Sequence, residues 1–277
     1  MTTYTQSIND HYGDKELRPR ILTSLEKAGK NVNALTREDI FTFDEFHIRG
    51  REATRELAQL TKLNKNEKAL DLGCGLGGPA RTLAMDFGCH VTGIDLTDEY
   101  IEAAQMLSER LGQSDQVTFR QGNVLELPFD DTSFDVVLSQ HVTMNIEDKA
   151  RMFAEARRVL QTKGRLAIYE ICAGPAGAPH FPVPWAGSAE INFLAKPEEL
   201  HQSISNAGFK ELVWKDVSAP SLEWFLAMIA ASQARPADAP PPLGLNVIMG
   251  GTTPEKIKNL KLNLEEDRVR VIMGVFG

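Results

Sequence analysis

Three groups of residues have the types and spacing to do chemistry. The first is Gly73-Cys74-Gly75-Leu76-Gly77-Gly78, which fits GxGxxG and follows the apolar run Lys68-Ala69-Leu70-Asp71-Leu72. Glycines at that spacing let a strand turn sharply into a helix and let a ligand approach the backbone. Asp95 lies roughly 20 residues beyond, where a carboxylate at the end of a second strand can accept from both hydroxyls of a ribose. The second group is Gly122-Asn123-Val124-Leu125-Glu126-Leu127-Pro128-Phe129, in which Asn123 can bond an adenine amino group while Val124 or Leu125 packs on the ring. The third is Gln140-His141, polar side chains ending the run Ser133 to Ser139, where the reactive end of such a ligand would lie.

The glycine loop alone serves NAD, FAD or S-adenosylmethionine equally well, and a tight turn packed for its own sake is the plain alternative. Asp71 separates the cofactors. A carboxylate there repels a pyrophosphate but attracts the sulfonium or amino group of S-adenosylmethionine. The expected cofactor residues are therefore Asp71, Gly73, Cys74, Gly75, Gly77, Gly78, Asp95, Leu96, Asn123, Val124 and Gln140.

These groups need a frame. Short apolar runs at 68–72, 90–94, 117–121, 134–139 and 165–171 read as strands. Segments 79–87, 98–111 and 148–160 read as helices from their apolar spacing. A turn is expected at Lys163-Gly164, a helix from Pro197 to Asn206 with Gly208 past its end, and strands at 211–217 and 268–276. Strand–helix alternation with fully apolar central strands predicts a parallel sheet covered on both faces. Residues 1–50 and 221–264 do not fit the alternation, and the Pro-rich pieces at 173–187 and 234–242 cannot be regular structure. The reading is an N-terminal helical lid over 1–50, then a domain over 51–277 with cap insertions near 172–195 and 219–264.

Over about residues 65 to 218 the chain resembles the class I S-adenosylmethionine-dependent methyltransferases, through the DLGCGLGG loop, Asp95, the GNVLELPF segment and the KGRLAIYE strand. The resemblance implies a Rossmann-like, doubly wound, mostly parallel seven-stranded sheet, with an antiparallel last strand inserted beside the sixth. It implies that the loop contacts methionine, the Asp95 position holds the ribose and the Asn123 position meets adenine. Phe43-Asp44-Glu45-Phe46-His47-Ile48-Arg49-Gly50, Gln140 to Ile146 and Pro182-Val183-Pro184-Trp185 are similar to segments of sarcosine/dimethylglycine N-methyltransferases, and also of the sterol and tocopherol C-methyltransferase branch.

Methyl transfer from a sulfonium is an in-line displacement, so a protein must mainly align the partners and exclude water. A base is needed only for an acceptor that arrives protonated. Gln140 and His141 are the expected catalytic pair, with a strand-capping histidine as the alternative. Tyr12, His47, Arg49, Met144, Asn145 and Trp185 are the expected acceptor residues. Packing roles for His47 and Trp185 and a solvated Arg49 stand against that reading. N-methylation of an amino acid or amine leads, ahead of C-methylation of an isoprenoid, sterol or quinone-like acceptor. An NAD(P)-dependent oxidoreductase and an inactive binding protein are the rivals from other classes.

A net charge of −8 argues against nucleic acid as a partner. Cys74, Cys89 and Cys172 form no CxxC pair, and the histidines show no ligand spacing, so no metal is expected. No apolar stretch approaches the roughly 20 residues of a membrane span. A cytoplasmic enzyme, with a homodimer left open, is the expectation.

Overall fold

The computed structural model describes residues 16–235 and 243–277. Seven strands form one sheet: β1 (Lys68–Leu72), β2 (His90–Asp95), β3 (Val117–Gln121), β4 (Phe134–Gln140), β5 (Leu160–Ala173), β6 (Glu211–Asp216) and β7 (Val269–Phe276). Their order is β3-β2-β1-β4-β5-β7-β6. Pairings among β1 to β5 are all parallel, and β7 runs antiparallel between β5 and β6. This is the Rossmann-like sheet the sequence predicts, with the last strand beside the sixth. The chain leaves β1 in one direction through β2 and β3 and in the other through β4, which opens a crevice at the carboxyl ends of β1 and β4.

Side-chain alternation explains why both faces are apolar. Ala69, Val91, Val136, Leu138 and Ala167 point into one core, and Leu70, Leu72, Ile94, Val137 and Leu166 into the other. The helices on these faces are α3 (Gly50–Thr61), α4 (Gly78–Phe87), α5 (Asp98–Arg110), α6 (Lys149–Val159), α7 (Pro197–Asn206), α8 (Ser218–Gln233) and α10 (Thr253–Glu265), with the short α9 at Asn246–Met249. α4 starts where the sequence requires it: Gly77 takes a left-handed φ of +75°, and Pro79 sits in the first turn, where its missing N–H costs nothing. α5 carries Asp98 and Glu99 in its first turn and Arg110 in its last, matching the helix dipole.

Two elements differ from the sequence reading. β5 begins at Leu160 rather than Arg165, and the expected Lys163-Gly164 turn is a bulge instead. Pairing jumps from Phe134↔Leu160 to Val136↔Arg165, so residues 161–164 loop out without ending the strand. α3 lies in a stretch where the strand–helix alternation offered no element. Its buried residues Ala53, Thr54, Leu57, Ala58 and Thr61 follow helical spacing.

Before it, α1 (Leu17–Lys27) and α2 (Arg37–Asp44) form a third apolar cluster. Leu17, Ile21, Leu25, Ile40 and Phe43 pack on Tyr100 and Leu107 of α5. Arg20 of α1 donates to the Val247 carbonyl of α9 at 2.7 Å, so the two segments outside the alternation meet each other. Among the described residues no helix is long and apolar enough to cross a membrane, and no cluster of His, Cys, Asp or Glu is arranged to hold a metal.

Candidate active site

A cleft opens at the carboxyl ends of β1 and β4. Gly73 and Gly75 form its floor. Asp95, Leu96, Asn123 and Val124 line one wall, and His141 and Asn145 the other. The spacing in the sequence thus brings eight of its predicted residues to one place. Phe46, Thr97, Tyr100, Val142 and Ile146 complete the lining. Neither Thr97 nor Tyr100 was among the residues expected from the sequence, since nothing in the α5 pattern singles them out.

The glycines divide into two jobs. Gly73 and Gly75, at φ of +64° and +51°, face the cleft, and a Cβ on either would strike Val142 or Phe46 at 2.6 Å. Gly77 and Gly78 serve packing. A Cβ on Gly77 would meet the Phe119 ring at 2.4 Å, and one on Gly78 would meet the Asp44 carbonyl oxygen at 2.2 Å. Cys74 is buried beside Gly93, and its amide donates to the Ile94 carbonyl at 3.0 Å. The cleft encloses about 100 Å³, below the roughly 300 Å³ at which ligand pockets begin, with the Phe46 ring lying over Gly75. A larger hollow of about 340 Å³, bordered by Leu35, Arg51, Arg55, Met85 and Leu111, lies apart from these residues. Its Arg51 and Arg55 are paired with Glu38 and Asp86.

The carboxylates are set for different partners. Asp95 accepts from the Gly75 amide through Oδ2 and from the Thr97 amide through Oδ1, both at 2.9 Å, which fixes its plane at the cleft wall. Each oxygen keeps a lone pair for a further donor. Asp71 is 1% exposed, and its Oδ2 has no hydrogen-bond partner. Burial, then the charges of Asp95 and Glu45, pushes its carboxyl up to about 8. An orphaned buried carboxylate is costly unless a cation or donor meets it. Asn123 Oδ1 accepts from the Leu125 amide at 2.9 Å and retains one lone pair.

Behind the opposite wall sits a nest of rings. His141, at φ +55°, stacks on Tyr169 with centroids 4.9 Å apart, and His47 meets both edge-on at 5.9 and 5.8 Å. Burial drives His47 down to about 4, and burial together with His47 holds His141 well below the usual imidazole range. Both rings are therefore neutral near pH 7. His47 Nε2 donates to the Gly50 carbonyl at 2.9 Å, whereas His141 Nε2 has no partner. Gln140 Nε2 and Arg49 Nη1 are also buried and unpartnered, although Arg49 holds Glu56 through Nη2 at 2.8 Å. Met144 and Trp185 are core residues, and the Trp185 indole donates to Asn192 Oδ1 at 2.7 Å. Tyr12 lies outside the described residues.

A buried ionic network that the sequence reading missed ties residues 37–54 to this site. Arg37 donates to Asp44, Glu45 and Thr82, and the fully buried Arg81 donates to Asp44 Oδ2 at 2.8 Å and to the Leu76 carbonyl. Thr54 passes the network on through its 2.8 Å bond to Glu45 Oε2.

The sequence profile of the family described as "Methyltransferase domain" matches residues 70–168, the span from β1 to β5. Residues 70–168 therefore form a methyltransferase domain. Its relatives include a sterol 24-C-methyltransferase of Gibberella zeae, 37% identical over 41% of this chain and 30% of that protein. The glycine/sarcosine/dimethylglycine N-methyltransferase of Actinopolyspora halophila is 27% identical over 65% of this chain and 31% of its own. This chain thus spans about a third of the length of either relative. The Haemonchus contortus phosphoethanolamine N-methyltransferase 2, solved with S-adenosyl-L-methionine, superposes with a TM-score of 0.73 at 17% identity, covering 100% of this chain and 60% of that one. The methyltransferase family uses S-adenosylmethionine, and this domain's residues fit it: the orphaned Asp71 oxygen suits a cation, and Asp95 retains lone pairs for hydroxyl donors.

Proposed function

We propose that the protein transfers a methyl group from S-adenosylmethionine to a small molecule, N-methylating an amino acid or amine such as sarcosine or dimethylglycine. The observation that carries this reading is a set of buried side-chain atoms without partners, Gln140 Nε2, His141 Nε2 and Arg49 Nη1, of which His141 belongs to the cleft lining. Buried polar atoms left unpaired are expensive, which argues for a polar acceptor rather than a hydrocarbon one. Arg49 supplies the charge for a carboxylate.

In this reading Asp71 meets the cationic methionine end of the cofactor, Asp95 the ribose and Asn123 the adenine. When bound, the cofactor supplies the activated methyl group. The protein aligns the acceptor in line with it and excludes water. His141, held neutral, can take the proton of an acceptor that arrives as an ammonium. Residues 1–50 act as the lid, with Phe46 over Gly75 as its contact with the floor.

C-methylation of an isoprenoid or sterol is the second reading. It draws on the sterol relative and on α8, whose Leu226 and Met228 are 45% and 37% exposed. Tritiated methyl transfer tested across glycine, sarcosine, dimethylglycine, sterol and quinone acceptors separates the two. Label in the amino acids is the expected outcome, and label confined to the apolar acceptors overturns it.

A further inference from the structure

We infer that Glu170 is a positioning residue that sets the cofactor-facing turn after β4. Glu170 lies on β5, is fully buried and points under the turn. Its Oε1 accepts from the Ser139 hydroxyl at 2.5 Å. Its Oε2 accepts from the Val142 amide at 2.9 Å, the Thr143 amide at 3.0 Å and the Thr143 hydroxyl at 2.9 Å. One carboxylate thus takes four donors from residues 139–143, all of which would be orphaned in the core without it.

The turn it holds carries the site. Val142, Asn145 and Ile146 line the cleft, and Val142 is the side chain that crowds Gly73 across the floor. His141 precedes the two captured amides. Its own amide donates to the Tyr169 carbonyl at 2.8 Å, so consecutive β5 residues grip consecutive residues of the turn. At the far end Lys149 Nζ donates to the Ile146 carbonyl at 2.7 Å, which pins the turn at both ends. A His141 at φ +55° is a conformation that non-glycine residues rarely adopt, and it persists only where the surroundings impose it. Glu170 and Tyr169 are those surroundings. Nothing in the sequence separates Glu170 from other strand residues, since its role depends on where β5 lies beside β4.

This rests on the cleft being the cofactor site, so the test reads the turn and the cofactor separately. Glu170→Gln keeps the shape but turns an amide NH₂ toward donors. Ile204→Ala, a core change on the buried face of α7 and outside the cleft lining, serves as a control for lost stability. S-adenosylhomocysteine is titrated calorimetrically into each full-length protein, and amide exchange is followed at Val142 and Thr143. The Gln variant is expected to bind about tenfold or more weakly, equivalent to about 1.4 kcal/mol, with faster exchange at both amides. The control is expected to keep wild-type affinity and exchange there. Should Glu170→Gln not fold, Thr143→Val removes one of the four donors, the Thr143 hydroxyl, keeps the amide, and is expected to weaken binding severalfold. Wild-type affinity in the folded Glu170 variant, or an equal loss in the control, overturns the positioning role. Altered exchange in a protein whose unaltered form does not bind the product cofactor overturns the cofactor reading instead, leaving Glu170 as a structural clamp only.

Discussion

Replacing Asp71 with asparagine should make the protein more stable at alkaline pH while weakening its hold on the cofactor. The folded carboxyl titrates near 8, against 3.8 for an ordinary aspartate. An acid whose folded pKa is raised takes up no penalty below its unfolded pKa. It loses stability as pH rises from there to the folded value, because the unfolded chain ionises first. Each pK unit corresponds to about 1.4 kcal/mol, so the full window costs about 5–6 kcal/mol. The part between pH 6 and pH 8 costs about 2–3 kcal/mol. Urea unfolding at those two pH values, run on wild type and Asp71→Asn, reads this difference directly: the wild type should fall relative to the variant by that amount. The same free energy reappears in binding. A cationic ligand ionises Asp71 and releases its proton, so S-adenosylmethionine affinity should rise by up to about tenfold per pH unit from 6 toward 8 and level off above. In the variant the profile should be flat and lower. Parallel stability curves for the two proteins, with equal pH profiles for binding, would refute the reasoning.

Other outcomes follow from the same geometry. Asp95→Ala should cost about 1–3 kcal/mol of cofactor affinity, measured by calorimetry; an unchanged Kd removes Asp95 from the ribose site. His141→Ala should lower kcat far more than it raises the cofactor Kd, and normal turnover would make the ring a packing residue against Tyr169. Phe46→Ala uncovers Gly75 and should speed cofactor association in stopped flow, whereas an unaltered rate would deny Phe46 a gating role. Arg49→Gln should raise KM for a carboxylate-bearing acceptor and leave the cofactor Kd unchanged; an unmoved KM places Arg49 outside the acceptor site.

The sheet was legible because its signals are local. Apolar runs stopped by glycine, and helices at regular spacing, mark the elements from β1 to β6 within a few residues. The cleft was legible for the same reason: GxGxxG, Asp95 and Asn123 lie at strand ends that the topology must bring together. What stayed hidden depends on partners distant in sequence. Asp44 reads as a surface acid until α2 places it on Arg81, and Glu170 reads as a strand residue until Ser139 and Thr143 close on it. The GxGxxG pattern also overstated its own uniformity. Only its first two glycines face the cleft, since Gly77 and Gly78 are small for the sake of Phe119 and Asp44.

The link between Arg81 and Asp44 bears on how the chain can be divided. The family profile begins at residue 70, which invites a cut upstream of β1 to obtain a minimal catalytic fragment. Such a cut would strand a guanidinium that has no solvent access, and breaking a buried pair by removing one partner costs about 3–5 kcal/mol, a large share of the stability of an ordinary domain. Residues 37–50 are therefore inseparable from the fold they cover. An expression boundary, an affinity tag or an insertion belongs ahead of α1 rather than between the cover and the sheet.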